Sequence, residues 1–305
     1  MTYNFVMNIS KLIIKFSLVL IILAVVIKSW VFFTFSFRID KIEPNEFFQN
    51  HWNVKLKVNP QIKGVLDQKY KLFNKGRQSF VFISDDNKYV IKLIRFHRYS
   101  DPFFVKFLDS LKISNNHMNK LKNEINTSYQ ETMNSYKIAY EQLSDETATI
   151  YVHLDKTRVF DKKLQVVDRL GQNHYLDLDK LGFVIQKKAE PFDLKIQKTQ
   201  DDRKATRKLI ESFFYNLSSI YKKNVFNNDR HLVQNLGIID DQIVEIDIGR
   251  FAIDERLEQR DFLQKESAHY TYYLRKWILK NIPEHVQFFD RELIKLIEST
   301  GGYHD

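Results

Sequence analysis

The stretch from Asn227 to Phe251 constrains this chain more than any other. It reads Asn-Asn-Asp-Arg-His-Leu-Val-Gln-Asn-Leu-Gly, then Ile-Ile-Asp-Asp-Gln-Ile-Val-Glu-Ile-Asp-Ile-Gly-Arg-Phe. Leu236–Ile239 and Ile243–Ile246 have the apolar, β-branched character of strands, with Asp240, Asp241 and Gln242 as the turn between them. A hairpin brings its ends together. Asn235 and Asp247 should therefore lie side by side, with Asp229 just beyond. Oxygen ligands converging in this way suit Mg²⁺, which takes one or two protein ligands and fills its shell with phosphate and water. Acids and amides around a hairpin are also ordinary turn formers, so this stretch alone leaves both readings open.

The chain has 305 residues, 44% of them hydrophobic and 28% charged, which excludes a largely disordered polypeptide. Its net charge of +9 is scattered, without a basic tail or a nucleic-acid motif. No nucleic-acid partner is expected. The absence of cysteine excludes disulfides, thiolate metal sites and a cysteine nucleophile.

Leu12 to Phe37 is almost wholly apolar, broken by Lys15 and Lys28. It reaches the length of about 20 residues that crosses a bilayer. Lys28 fits a span whose end lysine snorkels to the interface. Bulky residues follow the apolar run (Trp30, Phe32, Phe33, Phe35) instead of the small residues of a signal-peptidase site. The expectation is an uncleaved single-pass anchor over 1–39, in contact with membrane lipid. Lys11 and Lys15 precede the core, and Lys28, Arg38 and Lys41 follow it. That excess after the span places the large domain on the cytoplasmic side.

A juxtamembrane connector is expected over 40–63. Strand patterns begin after Gly64. Tyr70–Phe73 and Ser79–Ile83 flank Asn74-Lys75-Gly76-Arg77-Gln78, and Tyr89–Ile94 carries Lys92 among apolar neighbours. Lys92 reads either as an edge-strand charge that blunts aggregation or as an ammonium aimed at phosphate. Met118–Leu143 is a helix by its apolar stripe, with Glu124, Glu131 and Glu141 as its acids. Ala148–Leu154, Leu164–Asp168 and Tyr175–Lys187 read as strands, and Asp201–Lys223 as a core helix. Tyr270–Ile282 and Val286–Ser299 read as two further helices.

This order of parts resembles the protein kinase-like superfamily, and four motifs carry the resemblance. The glycine-rich loop is matched in spacing by Asn74, Gly76, Ser79 and Val81, with only the middle glycine kept. The lysine strand is matched by Tyr89-Val90-Ile91-Lys92, and the Asp-Phe-Gly motif by Asp247-Ile248-Gly249. Asp229 and Asn235 match the catalytic loop more loosely, and Asp229-Arg230-His231 also looks like the Asp-Arg-His of phosphoinositide kinases. The resemblance implies an α+β fold with two lobes: an N-lobe over 64–190 and a reduced helical C-lobe over 191–305, preceded by one transmembrane helix.

It further implies ATP and Mg²⁺ as cofactors. Lys92 would contact the α- and β-phosphates and pair with Glu131 or Glu124. Asp247 and Asn235 would hold Mg²⁺, and Asp229 would take the acceptor's proton. Asn74, Gly76, Ser79 and Val81 would cover the phosphates. Gln186 and Lys188 would belong to the adenine-binding hinge. The acceptor is a protein, lipid or small-molecule hydroxyl. The departures are specific. Five residues separate Asp229 from Asn235 where the family has four, two loop glycines are replaced, and no Ala-Pro-Glu follows Asp247. An inactive kinase-like module that binds nucleotide or acts as a scaffold is therefore the alternative, and a tethered interaction domain without any kinase relation is a third.

Overall fold

The computed structural model describes residues 2–44, 52, 54, 60–112, 116–199 and 201–300. Residues 45–51, 53 and 55–59 of the expected connector, and the Lys11 side chain used for orientation, lie outside the described residues.

Seven strands make the main sheet: β1 (Tyr70–Lys75), β2 (Ser79–Ser84), β3 (Tyr89–Ile94), β4 (Thr149–His153), β5 (Lys163–Val167), β6 (Asn173–Asp177) and β7 (Phe183–Lys187). Their order is β4–β7–β3–β2–β1–β5–β6. Neighbours run antiparallel except β1 and β5, which are parallel with Tyr70 opposite Val166. Short strands follow in the C-terminal part: β8 (Glu190–Pro191), β9 (Val225–Asn227), β10 (Leu236–Ile239), β11 (Gln242–Glu245) and β12 (Phe251–Ile253). β10 pairs with β11 and β8, and β12 pairs with β9. The chain is thus a mixed α/β fold with one apolar helix at its N-terminal end.

Strand periodicity sorts the sheet's two faces. Phe80, Phe82, Ile91 and Leu93 enter one apolar cluster with Tyr70, Leu164 and Phe183. Lys92 therefore projects from the opposite face. That side carries a larger cluster running from Met133 and Val184 through Phe213 to Leu274 and Phe289. The Asn116–Glu141 helix packs there through Tyr129, Met133, Tyr136 and Ile138. The Arg203–Tyr221 helix joins them, its first turn capped by Asp202, which accepts from the Lys204 and Ala205 N–H groups.

The N-terminal helix spans Thr2–Thr34, and its Leu12–Thr34 part is long and apolar enough to cross a membrane. It stops where Phe35 (φ 52°) and Ser36 (φ 55°) turn left-handed. Phe37 then enters the sheet's first cluster, edge-on to Phe80 at 5.2 Å and to Phe82 at 5.3 Å.

Three expectations change. The β10–β11 turn is only Asp240-Asp241, both left-handed (φ 49° and 62°), which matches the twist of a tight hairpin and leaves Gln242 in the strand. Tyr175–Lys187 is not one strand. Asp177 caps a short turn at Leu178–Lys180, and the Asp179 carboxylate gathers the Val159 and Asp161 N–H groups at 2.8 and 2.9 Å, so β6 and β7 separate. The penultimate helix begins at Arg260, ten residues before the expected Tyr270, and ends at Asn281. Its buried Glu266 hides the apolar stripe on which the sequence pattern depends.

Candidate functional site

The β10–β11 hairpin brings Asn235 and Asp247 to its open end. The Ile246 N–H donates to the Asn235 carbonyl at 2.7 Å, and this bond lies between the two residues. Lys92 reaches the same point from β3, where its ammonium donates to the Ile246 carbonyl. Burial lowers the Lys92 pKa, and the Asp247 carboxylate opposes that by favouring the ammonium. The Lys-bearing strand and the Asp-Ile-Gly segment thus meet at one place.

Asp229 stands beside them, partly buried. Its N–H is held by Asn227 Oδ1 at 2.9 Å, and its Oδ1 accepts from the His231 N–H at 3.0 Å. Burial pushes its pKa up, but hydrogen bonding from His231 and Asn235 outweighs this, and the carboxyl sits below its ordinary value. The Asn235 side chain approaches Asp229 closely enough to contribute to that shift. Its buried Nδ2 nevertheless completes no hydrogen bond of normal geometry.

The β1–β2 turn is tight, with the Gly76 N–H donating to the Ser79 carbonyl at 2.9 Å. The buried Arg95 fixes it, donating to the Gly76 and Arg77 carbonyls at 2.8 and 3.1 Å. Asn74 is exposed, Ser79 is buried, and Val81 pairs across the ladder with Lys92. Gln78 was not singled out by the sequence. Its amide donates to the Gly249 carbonyl at 3.1 Å, tying the turn to the Asp-Ile-Gly segment.

Other expected residues stand apart. Glu131 and Glu124 are both exposed, and the carboxylate that acts on Lys92 is that of Asp247. The helix presents uncharged groups to that region instead. Ser135 donates to the Ile248 carbonyl at 2.6 Å, and the Tyr136 phenol, raised by burial, also feels Asp247. Gln186 is buried and donates to the Thr147 carbonyl at 2.8 Å. Lys188 reaches Asn87 Oδ1 at 2.6 Å. The Lys187 and Lys188 N–H groups are taken by the Ala148 and Lys88 carbonyls at 2.9 and 2.8 Å.

One acid was missed. Glu245 is buried, accepting from Asn227 Nδ2 at 2.7 Å and from the Tyr270 hydroxyl at 2.8 Å. Burial, with Asp247 and Asp229 nearby, pushes its pKa up to about 7. Through Asn227 it positions Asp229. Arg230 and Glu266 brace the same loop with two hydrogen bonds, the shorter 2.8 Å. A lone glutamate inside the run Ile-Val-Glu-Ile was the available signal.

Among the described residues no group of three acids or histidines converges as a ready-made metal cage. The donor set is Asp247 with the Asn235 amide, and Asp229 next to it. That number suits Mg²⁺ when phosphate and water complete its shell.

No family model matches the chain, and no curated protein matches it. A structure search returns crystal structures of WbdD, described as a bifunctional kinase-methyltransferase. The 2.2 Å structure superposes with a TM-score of 0.38 at 14% identity, over 75% of this chain and 44% of that one. The monomeric form gives 0.39 at 15% identity, over 73% and 45%. The chain spans less than half the length of those proteins. A superposition at that level assigns no family to this chain.

Proposed function

We propose that this chain is a membrane-anchored, kinase-like phosphotransferase that moves the γ-phosphoryl group of ATP to a hydroxyl acceptor. The observation that carries the reading is the meeting of Lys92 and Asp247 at the mouth of the β10–β11 hairpin, with Asn235 and Asp229 beside them. Bound there, Mg²⁺ would be held by Asp247 and Asn235 and would neutralise phosphate charge. The protein's part is positioning and electrostatics. Lys92 offers its ammonium to phosphate oxygens. Asp229, kept ionised at neutral pH by its hydrogen bonds, orients the acceptor hydroxyl and accepts its proton. Gln78 holds the β1–β2 turn over Gly249, closing the site from above. The apolar Leu12–Thr34 helix would keep the domain at a membrane surface, on its cytoplasmic side, where ATP is available.

A second reading has its own support. Lys92 already donates to a backbone carbonyl, and the N–H groups of Lys187 and Lys188 are taken internally. These contacts favour an inactive nucleotide-sensing or scaffold module.

Thermal melting of the full chain in detergent, with and without ATP and Mg²⁺, tests the nucleotide and metal site on which the proposal rests. A ligand that binds only the folded state at a hundredfold excess over Kd stabilises by about 2.7 kcal/mol. The proposal expects a Mg²⁺-dependent rise in Tm that vanishes in Asp247→Asn and in Lys92→Met. Lys92→Met also removes the donor to the Ile246 carbonyl and the counter-charge of Asp247, so the ATP-dependent rise is read against that variant's own Tm. A Tm rise with ATP that is the same without Mg²⁺ would favour the inactive module, and no rise with any nucleotide would sink both nucleotide readings.

A further inference from the structure

A cleft of about 470 Å³ opens between the β1–β2 turn, the Asn116–Glu141 helix and the segment from Gly249 to Ala252. Three arginines line it: Arg77 from the turn, Arg98 from the short helix after β3, and Arg250 from just after the Asp-Ile-Gly segment. Among the described residues Glu131 is the one acid that lines it. All three arginines are exposed, and among the described residues none of the three side chains has an ion-pair or hydrogen-bond partner. The guanidinium groups of Arg98 and Arg77 lie near enough to Tyr99 to oppose the rise that burial gives its phenol. Two floor contacts fix the cleft. Gln78 spans it to Gly249, and the Asn228 N–H donates to the Arg250 carbonyl at 3.0 Å. Asn228 also lines the cleft, directly before Asp229. One end of the cleft therefore adjoins the residue proposed to orient the acceptor, and Lys92 lies outside it.

We infer that this cleft is an anion subsite that holds a phosphate group carried by the acceptor. The guanidinium is a planar fork matched to phosphate oxygens, and charge-assisted bonds of this kind are the strong ones. Three forks against one carboxylate leave an excess of positive charge facing a volume large enough for a phosphorylated small molecule or headgroup. The acceptor role rests on the phosphotransfer reading. The anion site itself does not.

The test is calorimetric titration of the full chain in detergent with inorganic phosphate at fixed ionic strength. Saturable binding is expected, weakened roughly tenfold or more in the Arg77→Gln/Arg250→Gln double variant and little changed in Lys92→Met. Glu131→Gln should tighten it, because the one opposing charge is gone. Among the described residues neither arginine side chain has a partner to lose, so the double variant should keep the wild-type Tm and the ATP-dependent rise in Tm. Absence of saturable binding overturns the inference, as does binding lost in Lys92→Met and kept in the double variant. If ATP competes phosphate away, the cleft holds the nucleotide's own phosphates and the acceptor assignment falls. Arginine-dependent phosphate binding in a chain that shows no response to ATP would leave the anion site standing and remove the phosphotransfer reading.

Discussion

At the scale of single residues, Glu245 couples the site to pH. Its carboxyl has an ordinary pKa of 4.5 and is pushed up to about 7 in the folded chain, chiefly by burial. Between those values the folded state keeps a proton that the unfolded state has lost. Stability from this group is therefore full below 4.5 and is lost as pH rises through about 7, a change of about 3 kcal/mol. Glu245→Gln retains an oxygen for Asn227 and cannot ionise. Denaturant unfolding from pH 5 to pH 8 should fall more steeply for the wild type than for the variant, and parallel curves would show that Glu245 does not carry the proton. The sequence marked Lys92, Asp229, Asn235 and Asp247 because each is polar at a strand end or in an apolar run. Glu245 fits the same description, yet its role depends on Asn227 and Tyr270, partners 18 and 25 residues away. Glu131 shows the opposite case. Helical spacing places an acid on the right element, but which side of the helix turns to the sheet is decided by Met133 and Tyr136 in the core.

At the scale of elements, the link between the β1–β2 turn and the Asp-Ile-Gly segment can be measured. A Cβ built on Gly249 would stand 2.0 Å from Gln78 Oε1, and its φ is not in the left-handed region. What a methyl at this position would meet is therefore the amide end of the Gln78 side chain, and the backbone of Gly249 itself does not oppose one. Gly249→Ala should push Gln78 away and destabilise the chain, whereas the same change in a Gln78→Ala background should cost far less. The two changes should couple by roughly 1 kcal/mol or more in a double-mutant cycle of unfolding free energies. Additivity would mean that the turn and the segment are independent. The sequence located most elements because their apolar periodicity is strong. It did not show that β5 and β6 extend the sheet beyond β1, since a parallel pairing between Tyr70 and Val166 leaves no local signature.

At the scale of the whole molecule, the membrane-length helix is attached to the sheet through packed side chains. Phe37 lies between Phe80, Phe82 and His174, with ring centroids 5.2 to 5.5 Å away. Arg169 covers Phe35 at 4.3 Å, and the Lys41 ammonium donates to the Ser36 carbonyl at 2.8 Å. Composition announced a span of this length but could not say that its end would enter the domain core, because Phe-Ser-Phe after an apolar run reads equally as an interfacial belt. The packing predicts different costs for two phenylalanines close in sequence. Phe37→Ala opens a cavity in a buried cluster and should destabilise the soluble part by about 3 kcal/mol. Phe33→Ala, at 59% exposure on the helix itself, should change it by less than about 0.5 kcal/mol in detergent. Thermal unfolding of the two variants decides this. A large loss for Phe37 alone means that the segment closing the helix is part of the folding unit and fixes the helix against the sheet. Equal small losses would mean that the domain folds without it and that the helix is free to swing about its end.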